Sequence, residues 1–119
     1  MLKEKIGSFI EKIREIDGVA ACALISRDGI IAGKYFDKEM NESWFGALAA
    51  TLLASAESAG NIIGMVSMDS VTVHAQNSSI VVMGAGENFL IAVIIKENTD
   101  LGNIHARMLA LAKKIGQVM

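Results

Sequence analysis

Val19-Ala-Ala-Cys-Ala-Leu-Ile-Ser-Arg-Asp-Gly-Ile-Ile31 decides how this chain folds. Residues 19–25 are apolar at every position, so a strand built from them needs cover on both faces. Asp28-Gly29 supplies positive φ cheaply, the mark of a tight hairpin turn. Ile30–Phe36 is therefore expected to return as a second strand beside the first.

Upstream, Leu2, Ile6, Phe9, Ile10, Ile13 and Ile16 fall on one face at helical spacing, with charged residues between them. That predicts an amphipathic helix over 2–16, ended by Asp17-Gly18. Downstream, 37–41 reads as a polar loop, and Asn41 as the N-cap of a helix over Glu42–Ala59. This helix is apolar or small all round, which predicts burial on more than one side. Gly60–Gly64 should close it.

Val71, Val73 and Ala75 alternate with Thr72, His74 and Gln76, the pattern of a half-exposed strand over Val71–Gln76. Periodicity leaves open whether 65–68 joins it. Asn77-Ser78 and Gly84–Asn88 are turns, so Ile80–Met83 and Phe89–Ile95 should complete an antiparallel meander. Asn98-Thr99-Asp100 caps a last helix with a stripe of Leu101, Ile104, Met108, Leu111, Ala112, Ile115 and Val118. Strands 19–25 and 89–95 both need two covers. The expected fold is α+β: a three-layer α/β/α arrangement with a five-stranded antiparallel sheet and helices on both faces, in the order α-β-β-α-β-β-β-α. Residues 1–119 are read as one domain.

Charge separates the middle of the chain from its ends. None of the 11 Lys and Arg residues falls between Glu39 and Ile95, and from Ser43 to Gly86 only Glu57 and Asp69 are charged. A stretch this poor in charge is either core or a surface that another molecule covers. Net charge is −2, and the cations are scattered among acids without interleaved aromatics, so nucleic acid is not an expected partner. The only cysteine, Cys22, excludes an internal disulfide and suits a reducing cytoplasm. No uncharged run is long enough for a membrane-spanning helix, and the N-terminus lacks the apolar run of a secretion signal.

Residues that could carry chemistry have simpler explanations. Gly84-Ala85-Gly86 lies between strands instead of opening a helix, which argues against a phosphate cradle. Cys22 sits inside an apolar strand, as a small hydrophobe does. His74 and His105 lack partners at metal-ligand spacing. Asp17 and Asp28 belong to Asp-Gly turns. The serines form no nucleophile elbow. No enzyme activity, cofactor or metal is expected.

The order of elements, with these local signatures, resembles the roadblock/dynein light chain family. The likeness rests on Asp17-Gly18-Val19 before an Ala-rich strand, Ser26-Arg27-Asp28-Gly29-Ile30-Ile31, and the Ala-rich 46–60 helix. It continues through strand 71–76, the apolar strand 89–95, and Asp100-Leu101-Gly102 at the last helix, where family members often carry Asn-Leu-Gly. It spans essentially the whole chain.

The resemblance implies a roadblock/profilin-like fold and a cytoplasmic homodimer in which the second helix packs antiparallel on its mate and the third strand pairs across the dimer. It implies a non-catalytic scaffold: relatives serve as dynein light chains or regulate small Ras-like GTPases. A paralogous subunit is a further expected partner. Trp44, Phe45, Leu48, Leu52, Val71 and Val73 are the candidate contact residues. A small-molecule-sensing module is the rival reading, since related sheet-and-helix folds hold ligands; it lacks a convergent polar set.

Overall fold

A computed structural model describes residues 2–119. The elements follow the order α1 (Leu2–Arg14), β1 (Val19–Ser26), β2 (Ile31–Tyr35), α2 (Glu42–Ile62), β3 (Ser70–His74), β4 (Ser78–Ala85), β5 (Phe89–Lys96) and α3 (Leu101–Val118). The strands form one antiparallel sheet in the order β2-β1-β5-β4-β3. The two strands apolar on both parities, β1 and β5, lie side by side within it.

Each face of the sheet has its own core. Cys22, Leu24, Met83, Ile91 and Val93 point toward α1 and α3, where Ile13, Ile104, Met108 and Ile115 meet them. Ala23, Ile25, Val82, Leu90 and Ala92 point the other way, toward Ala49 and Leu53 of α2. The alternation of side chains along a strand sends neighbours to opposite cores, which explains the unbroken apolar run of 19–25.

Both anticipated caps are present. The Asn41 side chain accepts from the Trp44 N–H at 3.1 Å, and that of Asp100 from the Asn103 N–H at 3.1 Å. Each satisfies a backbone donor that the first helical turn leaves without a partner.

Several boundaries differ from the sequence reading. α1 ends at Arg14 instead of residue 16, yet Ile16 stays buried because the chain turns inward, with Ile16 N–H donating to Ile13 O at 3.1 Å. α2 passes through Gly60 to Ile62. Gly60 is buried, with Met65 and Met68 against it, so the lack of a side chain there serves close packing. The residue that ends the helix is Gly64, at φ +76°. Met65 N–H donates to Gly60 O at 2.9 Å and Gly64 N–H to Asn61 O at 3.3 Å, the paired bonds of a Schellman cap.

β3 covers 70–74 rather than 71–76, because Ala75 N–H bonds Ser78 O at 2.9 Å and begins the turn. Residues 65–68 lie outside it. β4 is longer than the expected 80–83, and β5 gains Lys96.

The β1–β2 turn supports α2. Gly29 has φ +91°, and a Cβ there would stand 2.9 Å from the Ala47 Cα. A Cβ on Gly46 would in turn meet the Gly29 carbonyl. Gly29→Ala is expected to cost more than about 1 kcal/mol, since it combines positive φ with a backbone clash. The denaturation midpoint should fall; an unchanged midpoint would contradict the close approach.

Candidate functional site

α2 turns one face to the sheet and a different one outward. Gly46, Ala49, Leu53 and Gly60 are its buried residues. On the opposite side, helical spacing aligns Trp44, Leu48, Thr51, Ser55, Ser58 and Ile62, large at the two ends and small between them. Trp44 is 66% exposed, Leu48 59% and Ile62 85%. The stripe carries no charge. Glu42 reaches sideways to Lys34, and Glu57 pairs with Arg27 at 3.2 Å. Both carboxylates of the helix are thus engaged with its own sheet layer.

The six anticipated contact residues divide into two groups. Trp44, Leu48 and Val73 are exposed. Phe45, Leu52 and Val71 are half-buried against the core beneath α2, and Phe45 meets Phe36 edge-on at 5.9 Å between ring centroids. The structure therefore brings Trp44 and Leu48 onto one outward stripe, while Phe45 and Leu52 flank it.

β3 is a terminal strand with one free edge. Its sequence, Ser-Val-Thr-Val-His, is β-branched and lacks the Lys or Pro that commonly protects an edge. The other edge, β2, carries Lys34. The connector after α2 adds an apolar strap, where the sequence reading closes the helix over 60–64 and leaves 65–68 open. Ile63 is 72% exposed and Val66 87%, with Met65 between them also exposed. The signal was present in Ile62-Ile63-Gly64-Met65-Val66, a run too apolar for an ordinary surface turn.

Arg27 does more than the hairpin motif that contains it implies. It begins the β1–β2 turn, and its guanidinium donates to Gly86 O at 2.8 Å as well as to Glu57. It ties the first hairpin, the β4–β5 turn and α2 together.

Potential reactive groups are dispersed. Burial pushes the Cys22 thiol up to about 11, which disfavours the nucleophilic thiolate at neutral pH. His74 Nδ1 lies 3.1 Å from Ser79 Oγ on the β3–β4 hairpin. His105, on α3, lies 3.2 Å from Ser70 Oγ and 3.4 Å from Asp69 Oδ1. Asp17 and Asp28 stand exposed in separate turns. Gly84–Gly86 lies at a hairpin between β4 and β5, with Gly86 against Gly116 of α3. Among the described residues no cluster of three or more His, Cys, Asp or Glu could hold a metal ion. No described helix is long and apolar enough to cross a membrane.

A family model for the Roadblock/LC7 domain matches residues 5–95. A comparison with curated protein sequences finds no match. Among solved structures, the gliding protein MglB of Thermus thermophilus is similar, with a TM-score of 0.85 at 17% identity over 97% of this chain and 88% of that one. Myxococcus xanthus MglB gives 0.87 at 15% identity, over 96% and 94%. Profilin II of Acanthamoeba castellanii gives 0.64 at 18% identity, over 94% and 98%. At these identities the likeness is one of fold.

Proposed function

The chain belongs to the Roadblock/LC7 domain family, and we propose that it is a non-catalytic, homodimeric scaffold or regulator that engages a small Ras-like GTPase in the cytoplasm. The observation that carries the dimer is the uncharged outward stripe of α2, together with the unprotected β3 edge in the sheet layer beneath it. The family resemblance carries the GTPase. All of residues 1–119 serve as one such domain.

The side chains favour an antiparallel arrangement of two α2 helices. Bulk is concentrated at both ends of the stripe, in Trp44 and Leu48 at one and Ile62 at the other. The middle is Thr51, Ala54, Ser55 and Ser58. Small residues at the crossing let helix axes approach closely, since axial separation depends on the side chains at contact. With the two-fold axis near Leu53, Trp44 of one copy meets Ile62 of the other. β3 edges then pair across the same axis and extend the sheet. A stable seam of ordinary size buries about 800 Å² per copy, and Trp44 is the kind of aromatic anchor that dominates such contacts.

Trp44 is the sole tryptophan, so its emission reports on this seam directly. Dilution through the dissociation range should shift its emission to the red. Emission independent of concentration, while the mass changes, would place Trp44 outside the seam.

The GTPase reading is tested by immobilising the protein and supplying lysate of its native organism with either GTP or GDP. A small GTPase enriched in one nucleotide state is expected. Recovery of the same partners in both states would contradict it.

A further inference from the structure

The face of the sheet opposite α2 has its own electrostatic character. α1 and α3 together hold seven cations and two carboxylates, a net of +5, in a chain whose net charge is −2. Everything else therefore nets −7. α3 contributes Arg107, Lys113 and Lys114 and not one carboxylate.

The cations are remote in sequence, but the fold gathers them. Val118 at the end of α3 lies beside Lys5 and Ser8 of α1, while Gly18 just after α1 abuts Thr99 just before α3. The two helices are thus antiparallel. The basic start of α1, Lys3 and Lys5, comes to the same end as Lys113 and Lys114. Glu4 on α1 and Glu87 in the β4–β5 turn are acids at this end, and Glu11, further along α1, lies 3.1 Å from Arg14. Among the described residues Lys5, Lys12, Lys113 and Lys114 take part in no ion pair.

Between the helices runs a groove of about 340 Å³. Phe9, only 8% exposed, and Val118 form its apolar part, Lys5 and Lys12 stand at its walls, and Glu4 and Ser8 complete its lining. The Lys12 ammonium lies 5.6 Å from the Phe9 ring centroid, a cation–π contact at the wall of the groove.

We propose that this groove binds an acidic segment of a partner protein, with an apolar side chain seated between Phe9 and Val118 and flanking carboxylates on Lys5, Lys12, Lys113 and Lys114. Charge complementarity identifies the occupant. A cationic stripe with an apolar slot fits an amphipathic acidic helix or strand, whose carboxylates are steered by the field and whose apolar residue is buried on docking. An anionic bilayer fits less well, because it meets a flat or convex apolar face, whereas here Phe9 is nearly buried within a groove. The site is independent of α2 and does not rest on the dimer.

The test uses fluorescence anisotropy with three labelled synthetic peptides on the intact chain. One alternates Leu and Glu at helical spacing, the second has Lys for Glu, and the third has Ser for Leu. The Leu/Glu peptide should bind, more weakly with rising salt, and the other two should bind poorly. Lys5→Glu/Lys12→Glu and Lys113→Glu/Lys114→Glu should each weaken binding by about tenfold or more, with circular dichroism unchanged. Val118→Ser should weaken it without altering the salt dependence. Equal binding of the three peptides, affinity indifferent to the lysine substitutions, or binding only to phosphatidylserine vesicles would each overturn the proposal.

Discussion

Leu48→Glu is expected to convert the protein from a dimer to a monomer while leaving its fold intact. Leu48 is 59% exposed on the outward stripe of α2, and no core cluster includes it. A glutamate there remains solvated in the isolated chain, and glutamate is a good helix former. In an antiparallel pair the same carboxylate is carried into an uncharged seam, once from each copy. Burying an unpaired charge costs several kcal/mol. About 3 kcal/mol per dimer corresponds to more than about a hundredfold loss of affinity. Sedimentation equilibrium should show the monomer, with an unchanged far-ultraviolet spectrum. An unaltered dimer would remove Leu48 from the seam.

Leu53→Ala should act in the opposite way, on the fold itself. Leu53 is 1% exposed and is the one large side chain among the buried residues of α2; the others are Gly46, Ala49 and Gly60. It reaches into the core formed with Ile25, Val82 and Leu90. Truncation leaves a cavity with few neighbours able to fill it, and the expected loss is about 2–5 kcal/mol. Chemical denaturation should show a lower midpoint with a similar slope. Because α2 also carries the proposed seam, dimer affinity should weaken in parallel. A loss below about 1 kcal/mol, the scale of an average substitution, would mean that α2 is held to the sheet by other contacts.

The contrast between these two leucines shows where sequence reading reaches its limit. Both lie in a helix whose residues are apolar or small on every side, so periodicity could not distinguish the face on the sheet from the face on solvent. Only the position of the sheet separates Leu53 from Leu48, and it likewise moves Phe45 and Leu52 toward the core. α1 and α3 have charged faces, and their inward stripes were legible except at the outer ends, where Leu2 and Val118 are exposed. The middle of the sheet was equally legible, because a strand apolar on both parities has one solution.

Glycine was legible where a turn demanded it, at Gly18 and Gly29, but ambiguous within a helix. Gly60 looked like a terminator and is a close-packing residue, while Gly64 carries the left-handed cap. β3 lost its predicted last two residues to a turn, since alternation continues into Ala75 and Gln76 after the ladder has ended. The gathering of cations by α1 and α3 was hidden for another reason. Lys3 and Lys113 are far apart in sequence, and their common location follows only from the antiparallel packing of the first and last helices.

The proposed seam joins two copies of this chain through the uncharged outer face of α2. Light scattering coupled to size exclusion, run on the unmodified protein over a range of concentrations, tests it most directly. A particle of twice the 12.7-kDa chain mass is predicted, dissociating only on dilution. A particle of 12.7 kDa at every concentration would contradict it.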